Sequence, residues 1–303
     1  MKVFITGSTG FVGRHVMAEV HASGHDILAS TLEDEKNENN PSNIHWLYGD
    51  LADLESLEPA IISFNPDVII HLAWQGIPDY SASISRVNLN NSIDLFDFII
   101  NNTSCRKILV SGSCWEYGKK QGACKESDPV NIDSYFTWAK HSLNQYFSIK
   151  CAEKDVAFNW FRIFYVYGPG QRAGSLIPTL IKSISTQELP RINTPLYKND
   201  FVYVENVAKA FAKAVDINLP SGVYNLGSGY ATSIYDICRI VEKNLLNSET
   251  ISKQVFDTGH RAETVNFWAD MTKTIKALNV LGITPLKEGI ESYIRSRKIA
   301  VSA

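Results

Sequence analysis

A strand-like run that ends in a glycine-rich turn, an amphipathic helix behind it, and further strand and helix patterns in alternation predict an α/β fold, a doubly wound parallel sheet. The turn is Gly7-Ser8-Thr9-Gly10-Phe11-Val12-Gly13, joining Val3-Phe4-Ile5 to a helix that carries Val12, Val16 and Val20. A side chain there would hold the backbone away from a pyrophosphate, while the helix N-terminus offers it unpaired N–H groups and a positive dipole end. The spacing is one residue longer at the front than the familiar G-x-G-x-x-G. Its place between a strand starting at residue 2 and a helix ending near Gly24 nevertheless marks a dinucleotide site of the Rossmann kind.

Asp26 to Ser30 reads as a second strand, Glu33 to Asn43 as a polar loop, and Ile44 to Tyr48 as a third strand. Gly49-Asp50-Leu51 leads into a helix from about Ala52 to Phe64; Asp50 is either its N-cap or an acceptor for an adenine amino group. Asn65-Pro66-Asp67 breaks that helix, and Val68 to Leu72 is a fourth strand ending in Ala73-Trp74-Gln75. After a helix through Val87, Leu89, Ile93, Leu95 and Phe96 comes the fifth strand, Lys107 to Ser111. In open α/β sheets ligands sit beyond the carboxyl ends of strands, so Gly112 to Gly118 is expected to face the cofactor. A helix beginning near Asp133-Ser134 carries Tyr135, Phe136, Ala139 and Lys140, and Ala157 to Phe161 is a sixth strand.

Beyond it the alternation loosens. Tyr167 to Gln171 reads as a turn, Leu176 to Ser185 as a helix, Phe201 to Val204 as extended, and Glu205 to Asp216 as a helix. Val223 to Leu226 is expected to rejoin the sheet, followed by a helix from Ile234 to Leu245 and short elements near 272–280 and 286–298. The chain is thus divided into a dinucleotide-binding domain, 1–165, and a smaller C-terminal substrate-binding lobe, 166–303, with 200–230 returning to the sheet.

With 303 residues and 45% hydrophobic content, the chain can bury a full core. A formal net charge of −3 leaves no basic footprint for nucleic acid. The five cysteines are odd in number and form no C-x-x-C pair, which argues against a disulfide framework and a structural zinc site and fits a reducing cytoplasm. No apolar run approaches the ~20 residues of a membrane helix, and the first residues enter a strand without a basic-then-apolar leader, so a soluble, unexported protein is expected.

Taken together, Gly7 to Gly13, Gly49-Asp50-Leu51, His71-Leu72-Ala73, Ser111-Gly112-Ser113 with Tyr117-Gly118, and Val166 to Gln171 make a specific series. Asp200 to Val204, Tyr224 to Gly227 and Trp268-Ala269-Asp270 extend it to nearly the full length. In this the chain resembles the extended short-chain dehydrogenase/reductases, in particular their NAD(P)-dependent nucleotide-sugar epimerase, dehydratase and reductase branch. The resemblance implies cofactor contacts at Gly7, Ser8, Thr9, Gly10, Phe11, Val12, Gly13, Arg14, Thr31, Asp50, Leu51, Leu72, Ala73, Ser111, Lys140 and Val166. It also implies a nucleotide-diphosphate sugar as substrate, a cytoplasmic homodimer formed through the helices flanking 83–100 and 134–153, and a place in bacterial surface-polysaccharide precursor synthesis.

That family uses a serine or threonine, a tyrosine, and a lysine four residues after the tyrosine. Residues four apart on a helix differ by about 400° and share a face, whereas five apart they do not. Lysine and the nicotinamide ribose would lower the phenol's pKa and let it pass a proton while hydride moves. Ser113 and Lys140 match, but the residue four before Lys140 is Phe136, and Tyr135 is one position off. Three explanations fit: an engineered, inactivating Tyr-to-Phe change, use of Tyr135 through a helix distortion, or a natural cofactor-binding sensor that does no chemistry.

Family 4,6-dehydratases carry an acidic pair after the serine or threonine; here those positions are Cys114 and Trp115, which disfavours dehydration. Thr31 stands where an NAD-selective site places an acid, and with Arg14 nearby this favours NADPH, with NAD as the other cofactor and Glu33 as a substitute acid. The family's asparagine before Val-Tyr-Gly is Tyr165 and its arginine before Asp-Phe is Asn199, so the sugar and diphosphate pockets are reshaped, with Lys198, Arg172 or Arg261 left to meet phosphate. Trp74, Trp115 and Tyr165 are equally walls for a sugar or base and core residues. Cys114 is read as a packing thiol, His21 and His25 as surface residues rather than a metal pair, and His71 as packing or cofactor-side backbone rather than a base. The expected activity is reduction of the 4-keto carbon of a nucleotide-linked 6-deoxysugar, with a 4-epimerase or C4 dehydrogenase as the alternative.

Overall fold

The computed structural model describes residues 1–32, 41–258, 265–279 and 282–297. In chain order the first elements are β1 (Lys2–Thr6), α1 (Phe11–Ala22), β2 (Asp26–Thr31), β3 (Ile44–Tyr48), α2 (Leu54–Phe64), β4 (Val68–His71), α3 (Ala82–Asn102) and β5 (Lys107–Ser113). They are followed by β6 (Gly122–Cys124), α4 (Tyr135–Glu153), β7 (Ala157–Ile163), β8 (Tyr165–Tyr167), α5 (Leu176–Ser185), β9 (Lys198–Tyr203), α6 (Val204–Asp216) and β10 (Gly222–Leu226). The last are β11 (Ala231–Ser233), α7 (Ile234–Leu246), α8 (Thr250–Thr258), β12 (Phe267–Ala269), α9 (Thr272–Leu278) and α10 (Leu286–Ser296).

Seven strands form one parallel sheet in the order β10-β7-β5-β4-β1-β2-β3, with Val3 opposite both Ile27 and Val68 and Tyr224 opposite Phe161. Its strands are apolar on both faces because helices cover both. On one face Val3, Ile5 and Phe161 pack with Val16 and Val20 of α1 and Val207 and Phe211 of α6. On the other, Phe4, Ile69 and Ile108 pack with Ile61 of α2, Phe96 of α3 and Leu143 and Phe147 of α4. The strand order reverses around β1, which puts the glycine turn at the crevice where such sheets bind ligands.

A separate core joins Ile181 of α5, Tyr203 of β9, Val241 of α7 and Ile290 of α10. Here β9 is antiparallel to β11 and parallel to β8. The expected turn at Tyr167 therefore begins as the end of a strand. Two short parallel strands, β6 and β12, tie Gly122–Cys124 to Phe267–Ala269. Asp200, fully buried, fastens β9 to the loop before β11 and to β12 by accepting from the N–H groups of Ser228 (2.6 Å), Gly229 (2.9 Å) and Ala269 (3.0 Å).

Candidate functional site

The glycine turn is built by close backbone approach. Gly7 has φ of +67°, and a Cβ on Gly13 would stand 2.0 Å from the Gly7 carbonyl oxygen, so a side chain at either position would break the turn. Gly10 is the N-cap of α1 and supplies no side-chain acceptor, which leaves the first-turn N–H groups directed at whatever lies before the helix. Before it opens a cleft of about 400 Å³ lined by Gly7, Thr9, Gly10, Arg14, Thr31, Leu51, Ala73 and Trp74. Its concave, glycine-floored shape at the switch point fits a dinucleotide.

Other expected cofactor residues stand behind this lining. The Ser8 hydroxyl is buried and donates to the Ser30 carbonyl at 2.8 Å, so it braces the turn. Gly13 is buried inside α1, Phe11 and Val12 begin that helix, and Leu72 and Val166 pack against the core beneath the cleft. The Asp50 carboxylate receives the Ala52 N–H at 2.9 Å and the Gln75 side-chain amide at 2.7 Å. Its capping role is thus realised, around a 3₁₀ turn over Leu51–Asp53 rather than the start of α2. Leu32, Gln75, Asn88 and Asn91 also line the cleft, and nothing in the sequence pattern singles them out.

At the cleft's inner end, His71 is 1% exposed and hydrogen-bonded to Thr6 Oγ1 (2.8 Å, Nδ1) and Ser92 Oγ (3.0 Å, Nε2). Because the Ser92 hydroxyl donates to the Asn88 carbonyl, it accepts from His71 Nε2–H, which leaves Nδ1 to accept from Thr6. Burial, aided by the Lys140 charge, pulls this imidazole down to about 3, so it is a neutral structural residue rather than a base.

Lys140 and Phe136 occupy one buried face of α4, whereas Tyr135 is 59% exposed on another. The Lys140 ammonium donates to the Ser111 carbonyl at 2.8 Å and lies 4.0 Å from the centroid of the Trp74 ring. Burial draws it down to about 7, with the Glu116 carboxylate opposing. Trp74 thus lines the glycine-floored cleft and carries the lysine on its ring. The Phe136 ring, 7% exposed, is met edge-on by Trp74 (5.4 Å between centroids), Tyr80 (5.2 Å) and Trp115 (5.8 Å).

Ser113 closes β5 and caps the short helical turn Cys114–Tyr117, its Oγ accepting the Trp115 N–H at 3.2 Å. Under it Glu116, fully buried, accepts from the Ser113 N–H (2.9 Å), the Trp160 indole (2.9 Å) and the Arg162 guanidinium (3.0 Å). Gly112 makes room for this carboxylate, since a Cβ there would lie 2.1 Å from the Trp160 nitrogen. The S-x-x-E spacing of Ser113 and Glu116 is that of a capping box, but no spacing points to its buried partners Trp160 and Arg162, which lie on β7. Cys114 is buried, and burial pushes its thiol well above the ordinary range, as expected of a packing residue.

A second pocket, of about 1120 Å³, adjoins Trp115 and is walled by Tyr165, Tyr197 and Phe267 with Lys119 and Lys120 at its side. Trp115 and Tyr165 are thus brought together as pocket walls. Asn199 is instead a strand residue opposite Thr232, and Arg172 is exposed on the turn after β8. Arg261 and Glu33 lie outside the described residues. His25 differs from the expected surface residue: it is 7% exposed and hydrogen-bonded to Asp216 at 2.9 Å. Among the described residues no cluster of His, Cys, Asp and Glu could hold a metal ion, and no helix is long and apolar enough to cross a membrane.

A family model described as "NAD dependent epimerase/dehydratase family" matches residues 3–227. Among curated proteins, dTDP-6-deoxy-L-talose 4-dehydrogenase (NAD(+)) of Aggregatibacter actinomycetemcomitans is 26% identical over 239 residues, covering 77% of this chain and 87% of the relative. CDP-abequose synthase of Salmonella typhimurium is 24% identical over 307 residues, 97% of each chain. Among solved structures, the UDP-glucose 4-epimerase of Thermotoga maritima superposes with a TM-score of 0.82 at 21% identity, covering 98% of this chain and 99% of that one.

Proposed function

Because the chain belongs to the NAD dependent epimerase/dehydratase family, we propose that it is an NAD(P)H-dependent reductase of the 4-keto carbon of a nucleotide-linked 6-deoxysugar. The observation that carries this reading is that the Lys140 ammonium and the Phe136 ring both meet Trp74, which lines the dinucleotide cleft, while Lys140 is bonded to the Ser111 carbonyl two residues before Ser113, next to an aromatic-walled pocket with lysines at its side. The relative that acts as a dTDP-6-deoxy-L-talose 4-dehydrogenase supports redox work at C4 of a deoxysugar. NADPH is favoured over NADH by Thr31 at the end of β2 and by the Arg14 guanidinium folded over the glycine turn, where it donates to the Thr9 carbonyl at 2.8 Å.

When bound, a reduced nicotinamide supplies hydride to the carbonyl carbon. The first turn of α1 and the glycines would hold the pyrophosphate, and Lys140, fixed on the Ser111 carbonyl, would meet the ribose. Ser113 presents its hydroxyl to the carbonyl oxygen, while Trp115, Tyr165 and Tyr197 wall the sugar and base and exclude water. Residues 1–165 serve the cofactor in this reading, and 166–303 mainly the substrate. Phe136 is either an inactivating replacement or the native residue of this site; the three rings closed on its edge support the second.

The same residues suit a 4-epimerase or C4 dehydrogenase, and a sensor would use the cofactor site alone; cofactor stoichiometry separates reduction, epimerisation and sensing. Purified protein is mixed with NADPH or NADH and a panel of dTDP-, CDP-, GDP- and UDP-linked 4-keto-6-deoxysugars, with products followed by mass spectrometry. One NADPH consumed per alcohol formed is the expected result. Product formed without net cofactor change would replace the reading with epimerisation, and cofactor binding without turnover, in this chain and in Phe136→Tyr alike, would replace it with a sensor.

A further inference from the structure

We propose that Tyr80 supplies the proton that residue 136 cannot, so that the acid of the C4 reaction stands on the loop between β4 and α3; this rests on the redox reading above. That loop leaves the carboxyl end of β4, over the sheet edge where the cofactor cleft lies, and carries Trp74, which lines that cleft, and Tyr80, which lines a pocket shared with Ser134 and Trp138. Tyr80, Trp115 and Phe136 form a triangle of touching rings, with centroids 5.0, 5.2 and 5.8 Å apart. A phenol is therefore one ring-contact away from the place where α4 offers a ring without a hydroxyl.

The other phenols nearby are committed or misdirected. Tyr165 is packed against Phe201 and Phe267. Tyr117 is buried and donates to Asn225 at 2.7 Å, and Tyr135 is exposed off the Lys140 face. Among the described residues no hydrogen bond engages the Tyr80 hydroxyl, which leaves it available to a ligand. Burial holds this phenol above its ordinary range despite the Arg172 guanidinium on the turn after β8, so it carries its proton at neutral pH. Arg172 in turn steadies the phenolate left after donation.

The step balances. A hydride from a dihydronicotinamide forms the new C–H bond at the carbonyl carbon; the C=O π pair becomes the O–H bond by taking the Tyr80 proton; water reprotonates the phenolate. Two electrons leave the nicotinamide and two reduce the ketone.

Four forms of the full chain test this: unaltered, Tyr80→Phe, Phe136→Tyr and the double variant. NADPH oxidation is measured with a dTDP-linked 4-keto-6-deoxyhexose, cofactor Kd is taken from fluorescence, and nitration of Tyr80 by tetranitromethane is mapped by mass spectrometry with and without NADP and dTDP-sugar. Tyr80→Phe is expected to lower kcat about 100-fold with Kd little changed, the range of a lost general acid, and Phe136→Tyr to restore at least about tenfold of it in the double variant. Ligands are expected to shield Tyr80 from nitration. Unchanged kcat in Tyr80→Phe, or nitration indifferent to ligands, would overturn the proposal. An inert unaltered chain beside an active Phe136→Tyr variant would overturn it while sparing the reductase reading; no turnover in any form would remove both.

Discussion

The Lys140 ammonium, 3% exposed, rests on the face of the Trp74 ring 4.0 Å from its centroid. Cation–π attraction and the Ser111 carbonyl hold a charge whose burial draws it down to about 7. An unfolded lysine titrates near ~10.4, so between about pH 7 and 10 the unfolded chain binds the extra proton, and stability rises with pH across that window. Below it both states are charged and the desolvation cost is borne in full, at about 1.4 kcal/mol for every tenfold loss of proton affinity. Lys140→Met is therefore expected to melt above the unaltered apoprotein at about pH 6, with the gap closing toward about pH 10. Melts in which the gap stays constant would remove the buried ammonium as its cause.

Glu116 and Arg162 form a buried pair at 3.0 Å, both side chains 3% exposed or less. Removing one partner strands the other's charge, so Glu116→Ala is expected to cost about 3–5 kcal/mol and Arg162→Ala a similar amount. The double variant should be less damaged than the sum, since no isolated charge is left. Urea unfolding of all four proteins gives the coupling energy; simple additivity would show the pair does not act as a unit.

Such a pair marks the boundary of what the sequence makes legible. The glycine turn and the Phe136/Lys140 face are local, written in spacings of three and four residues, and the structure carries both. The partner of Glu116 is a strand away, and no periodicity connects them. The same holds for β6 and β12, three residues each, too short for alternation to register. It holds again for α8, whose first N–H groups at Ile251 and Ser252 are received at 3.0 and 2.8 Å by the buried Glu242 of α7. Each depends on a contact that exists only once the chain has folded.

Gly13 carries the tightest approach at the cofactor turn, with the Gly7 carbonyl where a Cβ would be. Gly13→Ala forces the turn and α1 apart, at an overpacking cost of about 1–3 kcal/mol. A lower Tm and at least about tenfold weaker NADPH binding are expected, the latter equal to about 1.4 kcal/mol. Gly174→Ala, where a Cβ meets nothing within 4 Å, should be near neutral in both. Equal behaviour of the two variants in calorimetry would detach the turn from cofactor binding.

Thr31 decides the last prediction. It ends β2 at 5% exposure, lines the cleft, and places its hydroxyl 3.1 Å from that of Thr9. A carboxylate at this position would accept a hydrogen bond from a ribose 2′-OH and repel a 2′-phosphate. Thr31→Asp is therefore expected to turn preference from NADP toward NAD, with the ratio of the two Kd values moving about tenfold or more, since each ~1.4 kcal/mol is a factor of ten. Arg14→Ala should weaken NADP more than NAD, because NADP adds a 2′-phosphate to the pyrophosphate charge that both cofactors carry. Calorimetric titration of both cofactors reads the result. If Thr31→Asp weakened them equally, the end of β2 would not border the ribose, and the proposed NADPH preference would lose its physical basis.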